Sequence, residues 1–444
     1  MLSWGYAGRM ETLIKKAVKA ESGEIKALLW SFGYFFFLLS TYYMLLPLRD
    51  AMGIEGGTRN LSWLFAATFI ATLVTAPFQA ALVARLPRRT FIPVVYLFLV
   101  ANMVVFWALM SAQIAPVIVA RAFFIWITVF SVFTVSVFWS FMADLYSAEQ
   151  SKRLFGFIGA GGSIGSILGP MITGALVQRI GVANLLLIAG LLLVLAVVCA
   201  NRLEGAAGLA QAAQADFKAA SAGRQKAVGG GMFDGFALLF KSPYLGGIGL
   251  WVFLLSFAGT MLYFVQADVV AAAATDTATR TQIFAQIAKW VGILSLLIQL
   301  LATGRIIKAI GTGPAAALLP LVFVVGFIAI ALNPAVLLVV AGFQAVQRAT
   351  NFGIANLARE SLWTVVSREE KFKAKNIIDG SVFRAADAIN AQVFNGLHAL
   401  MAVPALAGVA AVISGSWVAL SLALGRTQER KAKQLTTDVA ASKS

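Results

Sequence analysis

Charge is what this sequence has least of. Asp, Glu, Lys and Arg together make up 12% of its 444 residues, while 60% are hydrophobic. It has one cysteine, Cys199, and one histidine, His398. A lone cysteine inside an apolar run excludes a disulfide framework. A lone histidine excludes a metal site built from imidazoles. Acids are scarcer than bases, 19 against 35, yet the resulting excess of positive charge is not read as a nucleic-acid footprint. Apolar runs of about 18 or more residues recur along the whole length, the pattern of a polytopic α-helical membrane protein. In such a chain the bases gather in the loops on the cytoplasmic side.

The segment 1–26, with Arg9, Lys15, Lys16, Lys19 and Lys26, lacks a short apolar core followed by a small-residue cleavage pattern, so it is expected to be a cytoplasmic amphipathic N-terminus and not a cleaved signal. Reading the apolar runs between charge and Pro/Gly punctuation gives twelve spans: 27–48, 61–84, 91–111, 115–142, 155–178, 181–201, 244–267, 280–303, 314–332, 334–358, 375–401 and 404–424. Basic connections alternate with base-poor ones. Arg85, Arg88 and Arg89, then Lys152 and Arg153, then Arg305 and Lys308, then Lys371, Lys373 and Lys375 all fall between an even and an odd span. Both termini are therefore expected on the cytoplasmic side, with 425–444 as a cytoplasmic tail. An Ala/Gly/Gln-rich stretch within 202–243 is expected to be a cytoplasmic linker. It separates a six-helix bundle at 27–201 from another at 244–424, the organisation of transporters built from parallel repeats.

Polar residues are costly in lipid, so their placement marks the protein interior. Span eight carries Gln282, Gln286 and Lys289 on one face, and span ten carries Gln344, Gln347, Arg348 and Asn351 in the same manner. Span eleven carries Asn376, Asp379, Asp387, Asn390 and His398 in one sector, with Arg384 at its edge. Spans six, nine and twelve carry almost nothing polar, and span three only Asn102. Gln and Asn often do no more than bridge neighbouring helices; Lys289 and Arg348, near mid-membrane by helix rise, are harder to assign to packing. Arg49 is placed either to snorkel or to pair with Asp50, and Arg121 either to snorkel or to face inward. Arg384 and Asp387, at i and i+3, are placed either to neutralise each other or to face a solute. Bases at depth equal or outnumber acids, which favours an anionic solute. The candidate solute-binding set is Arg49, Arg121, Gln286, Lys289, Arg348, Asn351 and Arg384. In span five, Gly161, Gly165 and Gly169 form a small-residue stripe for close helix packing, and Pro170 adds a kink.

ARLPRRTFIP after span two and GRIIKAIGTGP after span eight resemble the loop motif of the major facilitator superfamily, although both lack its usual acid. Gly156, Gly165, Gly169, Pro170 and Gly174 resemble the glycine-proline motif of helix five in antiporters of that superfamily. The resemblance implies an all-α major facilitator fold of twelve transmembrane helices in two six-helix halves, with spans three, six, nine and twelve facing lipid. FWSFMADLYSAEQSKRLFGFIGAGG (138–162) and ARESLWTVVSREEKFKAKNIIDGSVFRAADA (358–388) resemble the ATP/ADP translocases of plastids and intracellular bacteria and their relatives in free-living bacteria. That resemblance implies nucleotide exchange without hydrolysis. It marks Lys152 and Arg153 as the basic pair, Glu360 as the acid, Lys375 as a loop base and Asp379 as the acid after isoleucine. Plastid members follow with Lys-Ser-Gly-Gly, where this chain has Ala386, Asp387 and Ala388.

The function expected is secondary active transport by alternating access, exchanging an anionic solute such as a nucleotide; the alternative is a proton-coupled exporter of small organic molecules. Glu149, Lys152, Arg153, Glu360, Asp379 and Asp387 are the candidates for coupling or gating. An enzyme is not expected, because there is no HExxH motif, no paired catalytic carboxylates on one helix turn and no sizeable extramembrane domain. No cofactor is expected. The partners are the lipid bilayer and a small anion, with no nucleic acid, and a monomer is expected in a bacterial inner membrane.

Overall fold

The spans begin where helix-starting residues stand at the end of an apolar run. Pro243 opens span seven at the first helical position, and Ser242 caps it by accepting from the Leu245 amide at 3.4 Å. Asp276 does the same for span eight, its Oδ1 accepting from the Thr279 amide at 2.8 Å. A computed structural model describes residues 23–85, 88–211, 242–301, 303–367, 370, 374–375 and 377–441. Among these residues there is no strand.

The helices are Ile25–Gly53 (span one), Leu61–Arg85 (two), Arg88–Ser111 (three) and Pro116–Leu145 (four). Ala148–Gln211 carries spans five and six, separated at Gly181, whose φ of 79° and ψ of 166° leave the helical region. Pro243–Ala273 is span seven, Thr277–Leu301 span eight and Thr312–Leu332 span nine. Span ten runs from Leu337 through Thr350, a π turn at Asn351–Ala355, and a last stretch at Asn356–Leu362. Span eleven opens with a second π turn, Ile378–Val382, and continues as Phe383–Leu400. Val403–Ala441 carries span twelve. Eight of the described helices are long and apolar enough to cross a membrane. Ala148–Gln211 supplies two spans, and spans ten and eleven are each broken by a π turn into shorter, more polar pieces.

Several ends differ from the sequence reading. Span one continues past 48 to Gly53, because Leu48, Ala51 and Met52 are buried and extend its packed face; Arg49 thus lies inside the helix. Helix persists into the stretch read as linker, as far as Gln211. The segment 425–444, read as a tail, is helical to Ala441, since its Arg, Gln, Glu, Lys and Ala are good helix formers. That extension has contacts to hold it: Gln428 donates to Thr364 at 3.4 Å and Lys431 sits 4.9 Å from the Tyr244 ring centre. Arg359 and Glu360, read as part of a loop, stand on the last helical stretch of span ten. Residues 1–22 of the amphipathic N-terminus expected over 1–26, the bases Lys371 and Lys373, and Asn376 lie outside the described residues, as do the side chains of Arg85, Arg88 and Arg89.

Two compact units divide the chain. One comprises Met1–Glu55, Ile70–Lys226 and Asp276–Lys289; the other comprises Gly56–Phe69, Ala227–Thr275 and Trp290–Ser444.

In the first unit, span one packs on the first leg of Ala148–Gln211 with backbones almost in contact. A methyl added at Gly161, Gly165 or Gly169 would meet the carbonyl oxygens of Phe32, Phe36 and Ser40 at 2.6, 2.6 and 2.7 Å. Both rows repeat every four residues, so one glycine face rides along one backbone ridge. Around this seam, Phe35 stacks on Phe138 at 4.2 Å. Two buried phenols are satisfied in a chain: Tyr34 donates to Tyr96 at 2.7 Å, and Tyr96 donates to the Thr134 carbonyl at 3.2 Å.

In the second unit, spans nine and twelve approach through Gly313 and Gly425. Trp417 fills the space beside them, 5.8 Å from Phe323 and 5.1 Å from Trp251, whose indole donates to Ser421 at 2.9 Å. Bare apolar faces occur on span three (Leu97, Phe98, Val105), span six (Leu191) and span nine (Val325, Leu332). Spans two and eight also expose Leu73, Val74, Leu300 and Leu301.

Candidate functional site

Each unit carries its own polar clusters, and they are built differently. In the first unit, the Arg49 guanidinium lies 4.3 Å from the centre of the Phe124 ring, with its Nε 3.7 Å from Asp50. A cation over a ring face is attracted by the ring quadrupole. Arg121 is one turn before Phe124 on the same helix, and its Nε is buried with no hydrogen-bond partner. On span eight, Lys289 donates to Gln286, and Gln282 accepts from Gln178 of span five at 3.1 Å.

At the start of span five, Arg153 reaches Glu24 at 3.1 Å, and Gln150 donates to the same carboxylate at 2.8 Å. Beside them Tyr146 bonds Ser31 at 2.8 Å, and burial pushes its phenol up to about 12, the bond to Ser31 opposing that rise. Glu149 and Lys152 are exposed on the first turn of that helix.

In the second unit, span ten gathers carboxamides around a cation. With its oxygen turned toward Arg348, Gln344 accepts from Nε and Nη2 at 3.1 Å each, and Gln266 of span seven and Gln347 flank the same amide at 3.2 and 3.0 Å. The three glutamines are buried. Asn351, where the π turn begins, has its Oδ1 buried with no partner. On span eleven, Asp387 accepts from Ser256 of span seven at 2.6 Å, and Asn390 donates to the Ser256 hydroxyl at 3.2 Å. Arg384 is half-buried and makes no hydrogen bond or ion pair among the described residues, so it does not neutralise Asp387.

Two further ion pairs join the facing ends of spans ten and eleven. Arg359 meets Asp379 at 3.1 Å, and Glu360 meets Lys375 at 2.5 Å. Toward the other end of the same unit, His398 stacks on Phe394 at 5.2 Å, with Nε2 3.8 Å from Asp268.

Sequence reasoning missed Arg359, Glu24, Gln266, Ser256 and Asp268, each of which partners a residue it did select. Only Arg359 carried a local signal, since it adjoins Glu360. Glu24, Ser256 and Asp268 lie more than 100 positions away from their partners in sequence, and Gln266 lies far from Gln344 as well. No group of three His, Cys, Asp or Glu suited to a metal ion forms among the described residues.

An all-helical chain of apolar spans that carries bases and acids within them defines a class: the polytopic α-helical membrane proteins. The chain belongs to the Major Facilitator Superfamily, whose family profile matches residues 30–362. It is similar to a solved structure of a mutant of the nucleoside transporter NupG at 12% identity, covering 90% of this chain and 99% of that one with a TM-score of 0.64. A bacterial homologue of the iron transporter ferroportin, in an inward-facing state, gives 12% identity, 91% and 100% coverage and a TM-score of 0.64. A bacterial homologue of the human lysosomal transporter Spinster gives 14% identity, 93% and 99% coverage and a TM-score of 0.51. At these identities the likeness is one of fold. No curated protein matches the chain.

Proposed function

We propose that this secondary transporter exchanges an anionic solute, such as a nucleotide, by alternating access between a 27–201 half and a 244–424 half. The observation that carries the reading is Arg348, a base in span ten that faces the Gln344 carboxamide and has no acid partner among the described residues. A base kept charged by neutral dipoles retains its attraction for an anion, whereas an ion pair spends it internally. Arg384 and Arg121 extend the same bias. Arg49, Gln286, Lys289 and Asn351 complete the solute-binding set, and Glu149, Lys152, Arg153, Glu360, Asp379 and Asp387 serve coupling or gating. The resemblance of 138–162 and 358–388 to the ATP/ADP translocases supports a nucleotide, while Asp387 is the departure that tests it. The reading includes cytoplasmic termini, a bacterial inner membrane and a monomer.

Counter-exchange in proteoliposomes with labelled ATP, ADP and other organic anions tests this. Exchange of a labelled anion against unlabelled anion is expected. Well-folded protein that exchanges other anions but neither ATP nor ADP would remove the nucleotide and leave the anion.

A second reading, proton-coupled export, is favoured by the Ser256–Asp387 bond, which puts an acid on span eleven in contact with span seven. Transport that responds to a pH gradient and loses that response in Asp387→Asn would favour it.

A further inference from the structure

Within one turn, span ten places a cation with an open edge beside an acceptor that has no donor. With the Gln344 amide turned so that its oxygen faces Arg348, that oxygen takes Nε and Nη2 at 3.1 Å each, which orients the guanidinium and leaves Nη1 without a partner among the described residues. The same amide lies 3.2 Å from the Gln266 amide and 3.0 Å from the Gln347 amide, and all three side chains are buried, so packing restricts its swing. Three residues on, Asn351 Oδ1 is buried and also lacks a partner. Positions i and i+3 share a helix face, with Cβ atoms about 5–6 Å apart. A buried acceptor is costly to leave without a donor. The helix also widens to a π turn at Asn351–Ala355, a feature found disproportionately at functional positions.

We propose that Arg348 and Asn351 form a two-point subsite for an anion that also carries a hydrogen-bond donor. A carboxylate or phosphate group of the solute takes the Nη1 edge of Arg348. A hydroxyl or N–H of the same solute, a few bonds from the charge, donates to Asn351 Oδ1. Hydroxy acids, amino acids and sugar phosphates have this spacing of charge and donor; plain dicarboxylates and simple alkyl phosphates do not. A site with a buried acceptor discriminates against an analogue that lacks the donor, because that analogue leaves the acceptor unpaired. The subsite rests on the anionic reading above and specifies which anions it admits.

The test uses matched probes with the full-length protein in proteoliposomes: malate against succinate, glycerol 3-phosphate against ethyl phosphate, and ADP as a fifth anion. In at least one pair the donor-bearing member is expected to bind and exchange better, by about tenfold or more. Asn351→Leu should bring that preference close to one. Arg348→Gln, whose amide still reaches Gln344, should weaken both members alike. Equal affinity within every pair, with anions still exchanged, would overturn the subsite and leave the anionic reading standing. Failure of well-folded protein to bind any of the five would overturn both. Should Asn351→Leu not fold, Asn351→Asp keeps size and acceptor: it should weaken all anions and retain the preference, and loss of the preference there counts against the proposal.

Discussion

The seam between span one and the first leg of span five, and the pair of spans ten and eleven, solve opposite problems. The seam brings two backbones together so closely that even one added methyl has no room, and its glycines and phenylalanines leave no unpaired charge. Spans ten and eleven are each interrupted by a π turn and carry Arg348, Arg359, Glu360, Asp379, Arg384 and Asp387. Close backbone packing rigidifies, because shifting either helix forfeits contacts along the whole ridge. A π turn does the reverse: it gives up regular hydrogen bonding at one place and redirects the side chains beyond it. In this protein, then, the closest backbone packing and the π turns fall on different helices.

Breaking the seam should have the largest effect. Gly165→Leu drives a side chain into the Phe36 carbonyl and the Ser40 amide, 2.6 and 2.9 Å from a new Cβ. The expected cost is at or beyond the top of the ~1–3 kcal/mol usual for overpacking. The readout is loss of monodisperse protein or a large fall in thermal midpoint. A midpoint near that of the parent protein would refute the rigid-seam reading.

Substitution in the polar pair should do the converse. Asp387→Asn keeps the size and one acceptor for Ser256, so the thermal midpoint should move little, while transport and its pH dependence should change by about tenfold or more. Unchanged uptake and pH profile would remove Asp387 from coupling.

A smaller effect is expected at the ends of spans ten and eleven. A double-mutant cycle on Arg359 and Asp379, side chains 15% and 33% exposed, should give a coupling of about 1 kcal/mol. Glu360 and Lys375, more exposed, should give a fraction of that. Zero coupling in both would show that the two ends are joined by packing alone.

The smallest effect concerns the cap of span eight. The Thr279 amide, followed by the Thr279 side chain, holds the Asp276 carboxyl below its ordinary value of 3.8. A depressed carboxyl adds stability above its unfolded pKa and loses it as pH falls through the folded one. Asp276→Ala should therefore lower the thermal midpoint slightly near neutral pH. The difference from the parent should shrink as pH drops below about 4. A pH-independent difference would mean that the charge contributes nothing.

Much of the fold was legible because hydrophobicity and loop charge are local. Each of the twelve expected spans overlaps a helix among the described residues, and the expected division of spans five and six between 178 and 181 coincides with the break at Gly181. The ends of spans one, six, ten and twelve lie beyond their apolar runs for one reason: a charge need not end a helix, and Arg49, Arg202, Arg359 and Arg426 all continue one. For the site, side-chain type at membrane depth singled out Arg348, Asn351, Arg384 and Asp387. It was silent on Ser256 and Gln266, because a lone serine or glutamine in an apolar run reads as packing until its neighbour is known.

The sequence by itself determined that this chain is a bundle of membrane-spanning helices and which of those helices carry charge, since both follow from the transfer cost of each side chain. Only the tertiary structure decided which charges are satisfied. Arg153, Glu360 and Asp379 found partners, and Arg348 faces the Gln344 amide in place of an acid. That outcome depends on which helix faces come within about 3 Å of one another, a property of packing between segments far apart in the chain.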